Sequence, residues 1–274
     1  MLNIHKNDME EDYSKYNGEG TIRRKTQLRE LEILVEIDKI CRKHGIRYWI
    51  DFGTMLGAVR HGGFIPWDDD LDISMYRPDY EKFLEIAPKE LPDWLFLQNK
   101  KTDPTYTRKL CKVRDMNSLF IERHEDFMLP YKKGIFIDIF ELVDYPKWIS
   151  GKFAKFLTKW GRKSTMFFMV PQYITPKTIV SGMIFPLITL AIKTVWYLGF
   201  ITGKSGKIGY HIEQCRYSFR MDEVFPLTTI KFEGKEFPVP KEYIKMLHEY
   251  YGDYMQMPKE EDRWMHSQFI HIFK

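Results

Sequence analysis

Three aspartates carry the clearest chemical signal in this chain: Asp70 and Asp72 within Trp67-Asp-Asp-Asp-Leu-Asp, and Asp138 inside the apolar stretch Gly134-Ile-Phe-Ile-Asp-Ile-Phe. On an extended strand Asp70 and Asp72 project from one side, about 7 Å apart along the backbone, while Leu71 and Ile73 turn into apolar packing. Two hard oxygen donors on one face suit Mg²⁺ or Mn²⁺ held with substrate phosphates, and two such ions about 3.5–4 Å apart can clamp an in-line displacement at phosphorus. Asp138 supplies the third acid, since an unpaired carboxylate among isoleucines and phenylalanines is costly to bury unless a cation faces it. Asp68 and Asp69 are open to the reading of a solvated acidic loop.

The elements that must position these acids are legible around them. Ile46 to Phe52 reads as a strand; Gly53-Thr54 then opens a short helix carrying Met55, Leu56 and Val59, and such a turn presents free backbone N–H groups to a phosphate. Gly62-Gly63 breaks that helix, Leu71 to Met75 reads as a second strand, and Arg77 to Ala87 as a helix. Upstream, Leu28, Leu31, Leu34, Val35 and Ile40 recur at helical spacing over Gln27 to His44, stopped by Gly45. Trp94 to Leu97, Leu110 to Val113, Leu119 to Ile121 and Ile135 to Phe140 read as further strands of one mixed sheet. Thr228 to Phe232 and Phe237 to Val239 form a hairpin, followed by a helix from Lys241 to Gly252. The fold class is α+β (or α/β), a mixed sheet flanked by helices.

The 274 residues are 44% hydrophobic and 29% charged, which excludes a disordered or fibrous chain. Cys41, Cys111 and Cys215 are too scattered for a thiolate zinc site or a disulfide framework, and the first residues lack the apolar stretch of a signal peptide. A reduced, cytoplasmic setting is expected.

Charge is distributed unevenly. Residues 145–212 hold no Asp or Glu but ten Lys or Arg; taking that +10 from the total of +4 leaves −6 elsewhere. Such asymmetry points to an anionic partner. Ile179 to Ile201 is nearly all apolar, approaching the roughly 20 residues that span a bilayer, although Pro186 and Lys193 interrupt it. It reads either as a buried helix pair or as an interfacial patch. Lys152, Lys155, Lys159 and Lys163 would line one helix face and Phe153, Phe156, Leu157 and Trp160 the other, a pattern suited to an anionic membrane surface. No nucleic-acid-binding motif appears, so residues 147–207 are expected to face a membrane rather than nucleic acid.

Strand, Gly-Thr, helix, an Asp-x-Asp strand and a third Asp on a later apolar strand together resemble the nucleotidyltransferase fold of the DNA polymerase beta type. The wider wording resembles the LicD family, whose members are similar to the catalytic domains of fukutin and fukutin-related protein. Three blocks carry the resemblance: residues 53–75, Gly134 to Asp144, and Tyr251-Gly-Asp-Tyr-Met through Arg263 to His266. The expected organisation is a loose arm over 1–26, a catalytic core over 27–144, a basic apolar helical insertion over 145–212, and a hairpin and helix over 213–274 that complete the core.

The resemblance implies a metal-dependent phosphotransferase that moves phosphocholine, or ribitol phosphate in the fukutin relatives, from a CDP-linked donor such as CDP-choline to a sugar hydroxyl. CMP would be released, and the acceptor would be a cell-surface glycan such as lipopolysaccharide or teichoic acid, or its lipid-linked precursor. It implies Asp70, Asp72 and Asp138 as ligands of Mg²⁺ or Mn²⁺, with Asp138 alternatively the general base. Gly53 and Thr54 would cradle a donor phosphate, with Arg60 and His61 facing it. Lys112, Arg114, Arg263 and His266 would add positive charge, and Trp67 would stack on a base or choline. Two alternatives remain: a nucleotidyltransferase acting on a small molecule, and a non-catalytic membrane adaptor, against which the three intact acids speak. The enzyme is expected to be peripheral at the inner face of the membrane.

Overall fold

Thr21 accepts a hydrogen bond from the Arg24 N–H (3.2 Å), and so the first long helix starts at Ile22 rather than Gln27. The computed structural model describes residues 12–273 apart from 107, 109, 124, 126, 149–150, 170–174, 212–216 and 264. A short α1 (Ser14–Asn17) precedes α2 (Ile22–His44), which Gly45 closes in the left-handed conformation at φ 61°. Residues 14–26 are therefore not a loose arm: Tyr13 and Tyr16 set their rings 5.9 and 5.8 Å from that of Trp67, which docks the segment on the core. Residues 1–11 of the expected arm lie outside the described residues.

Helix α2 buries Ile33, Leu34, Ile37, Ile40 and Cys41, while Leu28 is 41% exposed. The buried face is thus rotated from the expected stripe, and the rotation carries two polar residues, Gln27 and Glu30, fully inside.

The main sheet runs through β1 (Trp49–Ile50), β2 (Asp72–Tyr76), β6 (Phe136–Pro146), β4 (Cys111–Asp115) and β3 (Leu95–Gln98), in that spatial order. Among the described residues only β2 and β6 pair in parallel; α3 (Phe52–His61) joins β1 to β2, and α4 (Arg77–Glu90) follows β2. The expected single sheet is corrected at one strand. Because β3 and β6 already occupy both edges of β4, the next strand, β5 (Ser118–Glu122), pairs with the C-terminal β11 (Ser267–Ile272) in a sheet of its own.

The basic apolar helical insertion expected over 145–212 holds two α-helices and ends in a strand. The segment leaves from the end of β6 and returns as β7 (Lys204–Tyr210), which pairs along the second half of β6, where Leu142 and Tyr210 are buried partners. Beyond it lies β8 (Ser218–Arg220), then α7 (Met221–Val224), the β9 (Thr228–Phe232) and β10 (Lys235–Val239) hairpin, and α8 (Tyr243–Tyr251) ending at Gly252. Phe232, Phe237, Val239, Met246 and Leu247 from these elements join the main core.

Between β6 and β7, α5 (Gly151–Met169) and α6 (Pro176–Gly199) form an antiparallel hairpin. Ala154, Leu157, Thr158, Gly161 and Ser164 make the inner face of α5, and the Ser164 hydroxyl lies 2.6 Å from that of Thr189. Small residues there let the helices approach. Phe153 and Phe156 consequently stay 40% and 56% exposed beside Lys155, Lys159 and Lys163, so the expected division of α5 into a basic and an aromatic face does not hold. The buried-pair reading of residues 179–201 is likewise overturned, since only 6% of the apolar stretch within Pro176–Thr202 is buried.

Candidate active site

The turn that opens α3 is built around a buried carboxylate. Asp51 accepts hydrogen bonds from Phe52 N–H (2.8 Å), Trp49 Nε1 (3.2 Å), Ser74 Oγ (2.6 Å) and the Tyr210 hydroxyl. Phe52 takes a left-handed φ of 44°, strained for a residue with a Cβ, and its ring is clamped about 5 Å from those of Phe140, Tyr210 and Tyr250. The clamp aims Gly53 at the acids: a Cβ on Gly53 would stand 2.9 Å from Asp68 Oδ2. The Thr54 hydroxyl, buried, accepts the Asp72 N–H at 2.8 Å and so fastens α3 to the start of β2.

Around that junction the carboxylates converge. Asp68, Asp70 and His266 present ligand atoms that all lie within 4.8 Å of one another, with His266 Nε2 3.5 Å from Asp70 and 3.9 Å from Asp68. Asp72 and Asp138 are register partners across β2 and β6, and Asp138 N–H donates to the Leu71 carbonyl at 2.9 Å. Burial, then the charge of Asp70, pushes the Asp68 carboxyl well above the usual range; burial, then Asp70 and Asp138, does the same to Asp72. Asp70 and Asp138 are raised by burial, with His266 and Lys112 respectively opposing.

Asp69 and Asp68 are not a solvated loop. Asp69 is fully buried and accepts from the His266 N–H (2.7 Å), the Ser267 N–H (3.0 Å) and the Ser267 hydroxyl. It thereby pins the start of β11 and sets His266 against Asp70. Asp68 belongs to the cluster itself, and its adjacency to the Asp-x-Asp pattern was the available signal.

Of the expected cations, Lys112 reaches the site and Arg114 does not. Lys112 is the register partner of Asp138 on β4, and its Nζ lies 2.7 Å from Asp138 Oδ1 and 3.6 Å from Glu122. Arg114, though on the same strand face, is fully buried, bonded to the Gln98 side chain and the Gly134 carbonyl. Its role is to hold the β3–β4 end of the sheet together.

Arg60, His61, Trp67 and Arg263 gather in a second group. Arg60 bonds to His61 (3.1 Å) and the Tyr254 carbonyl (3.2 Å), and the Arg263 guanidinium lies 4.6 Å from the Trp67 ring. Trp67 is only 7% exposed, enclosed by Tyr13, Tyr16, His61 and the two arginines, so the ring is a packed platform for cations rather than an open stacking face. Burial, then Arg60 and Arg263, holds the His61 imidazole down at about 4.

Sequence reasoning missed Glu30. One turn before it, Gln27 donates to the backbone carbonyls of Ile65 (3.2 Å) and Asp68 (2.9 Å), so this face of α2 lies against the aspartate loop. Glu30 is fully buried, and neither of its carboxylate oxygens has a hydrogen-bond partner among the described residues. Burial, then Asp70, Asp69, Asp68 and Asp72, drives its carboxyl well above the usual range. A donor set of carboxylate oxygens with one imidazole nitrogen, and a buried carboxylate without a hydrogen-bond partner behind it, fits a divalent cation. Nothing in the helical pattern of α2 distinguishes Glu30 from an exposed glutamate.

Comparison with known proteins finds relatives along most of the chain. The model of the family described as LicD/FKTN/FKRP, nucleotidyltransferase domain, matches residues 45–198, and so takes in the acid cluster and most of the α5–α6 hairpin. Lipopolysaccharide cholinephosphotransferase LicD of Haemophilus influenzae is 28% identical over 266 residues, covering 89% of this chain and 95% of that protein. Uncharacterized protein RP689 of Rickettsia prowazekii is 28% identical over 204 residues, 61% of this chain and 74% of its own length. Ribitol 5-phosphate transferase FKRP of Homo sapiens is 54% identical over 35 residues, 13% of this chain and 7% of that protein. With more than half its length matched by the family model and its acids gathered at one strand junction, the chain belongs to the LicD/FKTN/FKRP family and is an enzyme of the LicD type.

Proposed function

We propose that the protein transfers phosphocholine, or a similar phospho-alcohol, from a CDP-linked donor to a sugar hydroxyl of a cell-surface glycan or its lipid-linked precursor, with release of CMP. The observation that carries this reading is the meeting of Asp68, Asp70, Asp72, Asp138 and His266 where α3 enters β2, in a chain aligned along almost the whole of a lipopolysaccharide cholinephosphotransferase. A core of the DNA polymerase beta type is part of the proposal, as is action at the inner face of a membrane with residues 147–207 toward an anionic surface.

Asp68, Asp70, Asp72 and His266 would hold Mg²⁺ or Mn²⁺, which when bound neutralises charge on the phosphates of the donor. Arg60 and Arg263, like charges set around the Trp67 ring, would bind a donor phosphate. Lys112 holds Asp138 through Oδ1, and the Asp138 carboxylate would face the acceptor hydroxyl. As the new O–P bond forms, the acceptor hydroxyl passes its proton to Asp138, and the bond from phosphorus to the CMP oxygen breaks with its electron pair. A carboxyl raised by burial takes such a proton more readily than an exposed aspartate.

Phosphorus NMR of the purified protein with Mg²⁺ or Mn²⁺ and a panel of CDP-linked alcohols tests the reading. Metal-dependent accumulation of CMP and the phospho-alcohol, lost in Asp70→Asn, is the expected result. Release of pyrophosphate from nucleoside triphosphates instead would make the protein a nucleotidyltransferase of small molecules.

A further inference from the structure

The α5–α6 hairpin stands out from the sheet with its apolar side chains uncovered. Its root is fixed: Val143 and Tyr145 of β6 pack with Leu157, Ile192 and Trp196, and the Lys147 N–H donates to the Gly203 carbonyl at 2.9 Å. Outside that packed face α6 is uncovered along its length, with Tyr197, Leu198 and Ile201 exposed at the root end as well. Met183, Leu187 and Leu190 are 71%, 66% and 63% exposed, and Ile179, Val180 and Ile184 are each about half exposed. Soluble proteins seldom leave so continuous an apolar surface without a partner.

Charge identifies the partner. Residues 145–212 carry ten cations and no acid, so two copies of the hairpin would repel each other, while a nucleic acid has nothing to offer exposed leucines and isoleucines. An anionic headgroup layer over hydrocarbon complements both features at once.

Connectivity decides how the hairpin enters. Helix α6 has 24 residues, about 36 Å at 1.5 Å per residue, and is long enough to cross a bilayer. But both ends of the hairpin, the start of α5 and the end of α6, return to one sheet, and the antiparallel α5 carries Lys155, Lys159, Arg162 and Lys163 exposed along its length. Drawing those four charges into hydrocarbon is strongly unfavourable.

We infer that the hairpin is a monotopic anchor: α6 lies within one leaflet of an anionic membrane and α5 holds its cations at the headgroups. The acids sit at the opposite end of β6 from the hairpin root, and the eight residue steps from Asp138 to Pro146 span roughly 26 Å. The anchor therefore sets the catalytic end off from its root by about the length of the strand, which suits an acceptor sugar displaced from its lipid rather than the lipid headgroup itself. Only that last step rests on the proposed glycan acceptor; docking stands apart from it.

Flotation of the full-length protein with vesicles of phosphatidylcholine and phosphatidylglycerol in equal parts tests docking, with cleavage of the soluble donor measured on the same samples. Wild type is expected to float with these vesicles and poorly with phosphatidylcholine alone. The doubly substituted Met183→Asp, Leu187→Asp protein should lose binding roughly a hundredfold, as should Lys155→Gln, Lys159→Gln, Lys163→Gln, with donor cleavage kept in both. Equal flotation of wild type and variants overturns the anchor, and so does a dimer that Leu187→Asp dissociates without any vesicle binding. For topology, Lys177→Cys in a Cys215→Ser background should react with a membrane-impermeant maleimide added outside intact vesicles; reaction only after lysis would mean that α6 spans. Loss of donor cleavage with docking intact would refute the proposed reaction and leave the anchor standing.

Discussion

Asp72 and Asp138 face each other across the parallel β2–β6 pairing of the main sheet, and Lys112 completes the row on the far side of Asp138. Neighbouring strands lie about 4.8 Å apart, so three charged side chains from distant parts of the sequence are brought within reach by sheet register alone. Two acids this close in a buried setting repel each other, and one lysine does not balance both.

Asp72→Asn is therefore expected to lower donor cleavage roughly a hundredfold or more while leaving the metal-free protein at least as stable as wild type, because a repelling buried charge is removed. Thermal melts with Mg²⁺ and with EDTA check this: wild type should gain in melting temperature with metal, and Asp72→Asn should not.

Glu30→Gln separates metal binding from folding in the same way. Both carboxylate oxygens of Glu30 are buried without partners, so the neutral amide should stabilise the apoprotein and weaken Mg²⁺ or Mn²⁺ binding. Calorimetric titration of the metal measures it, and unchanged affinity would show that Glu30 does not face the cation.

Lys112→Met should destabilise the fold by roughly 3–5 kcal/mol, since it strands Asp138 in a buried site. Adding Asp138→Asn should recover part of that loss although activity stays absent. A double-mutant cycle in urea reads the coupling.

His61 sets a pH dependence of its own. Burial and the two arginines hold its imidazole at about 4, against an ordinary value of 6.5, so between those pH values the unfolded chain binds a proton that the folded protein does not. Its contribution is present above pH 6.5 and is lost as pH falls toward 4. The raised carboxyls act in the opposite sense. His61→Gln should thus flatten the fall of wild-type stability from pH 7 to 5, measured as the difference between the two proteins' melts.

Much of the site was legible in the sequence because strand and turn chemistry are local. The Asp-x-Asp strand, the Gly-Thr helix start and the apolar strand around Asp138 each follow from side-chain period and backbone preference over a few residues. Glu30 and the true buried face of α2 were not legible, since the helix rotates to meet a loop far along the chain. Arg114 and Trp67 misled for a related reason: their types suit a ligand, but Gln98, Gly134 and Arg263 had already engaged them.

By itself, the sequence determined the α+β class, the acids and the basic apolar segment, all of which arise from composition and short-range spacing. Tertiary structure alone decided that Asp72 lies beside Asp138, that Asp69 positions His266, that β5 leaves the main sheet and that α6 stands uncovered. Register between strands, and what covers a helix, are set by contacts between residues remote in the chain, and those contacts have no period to read.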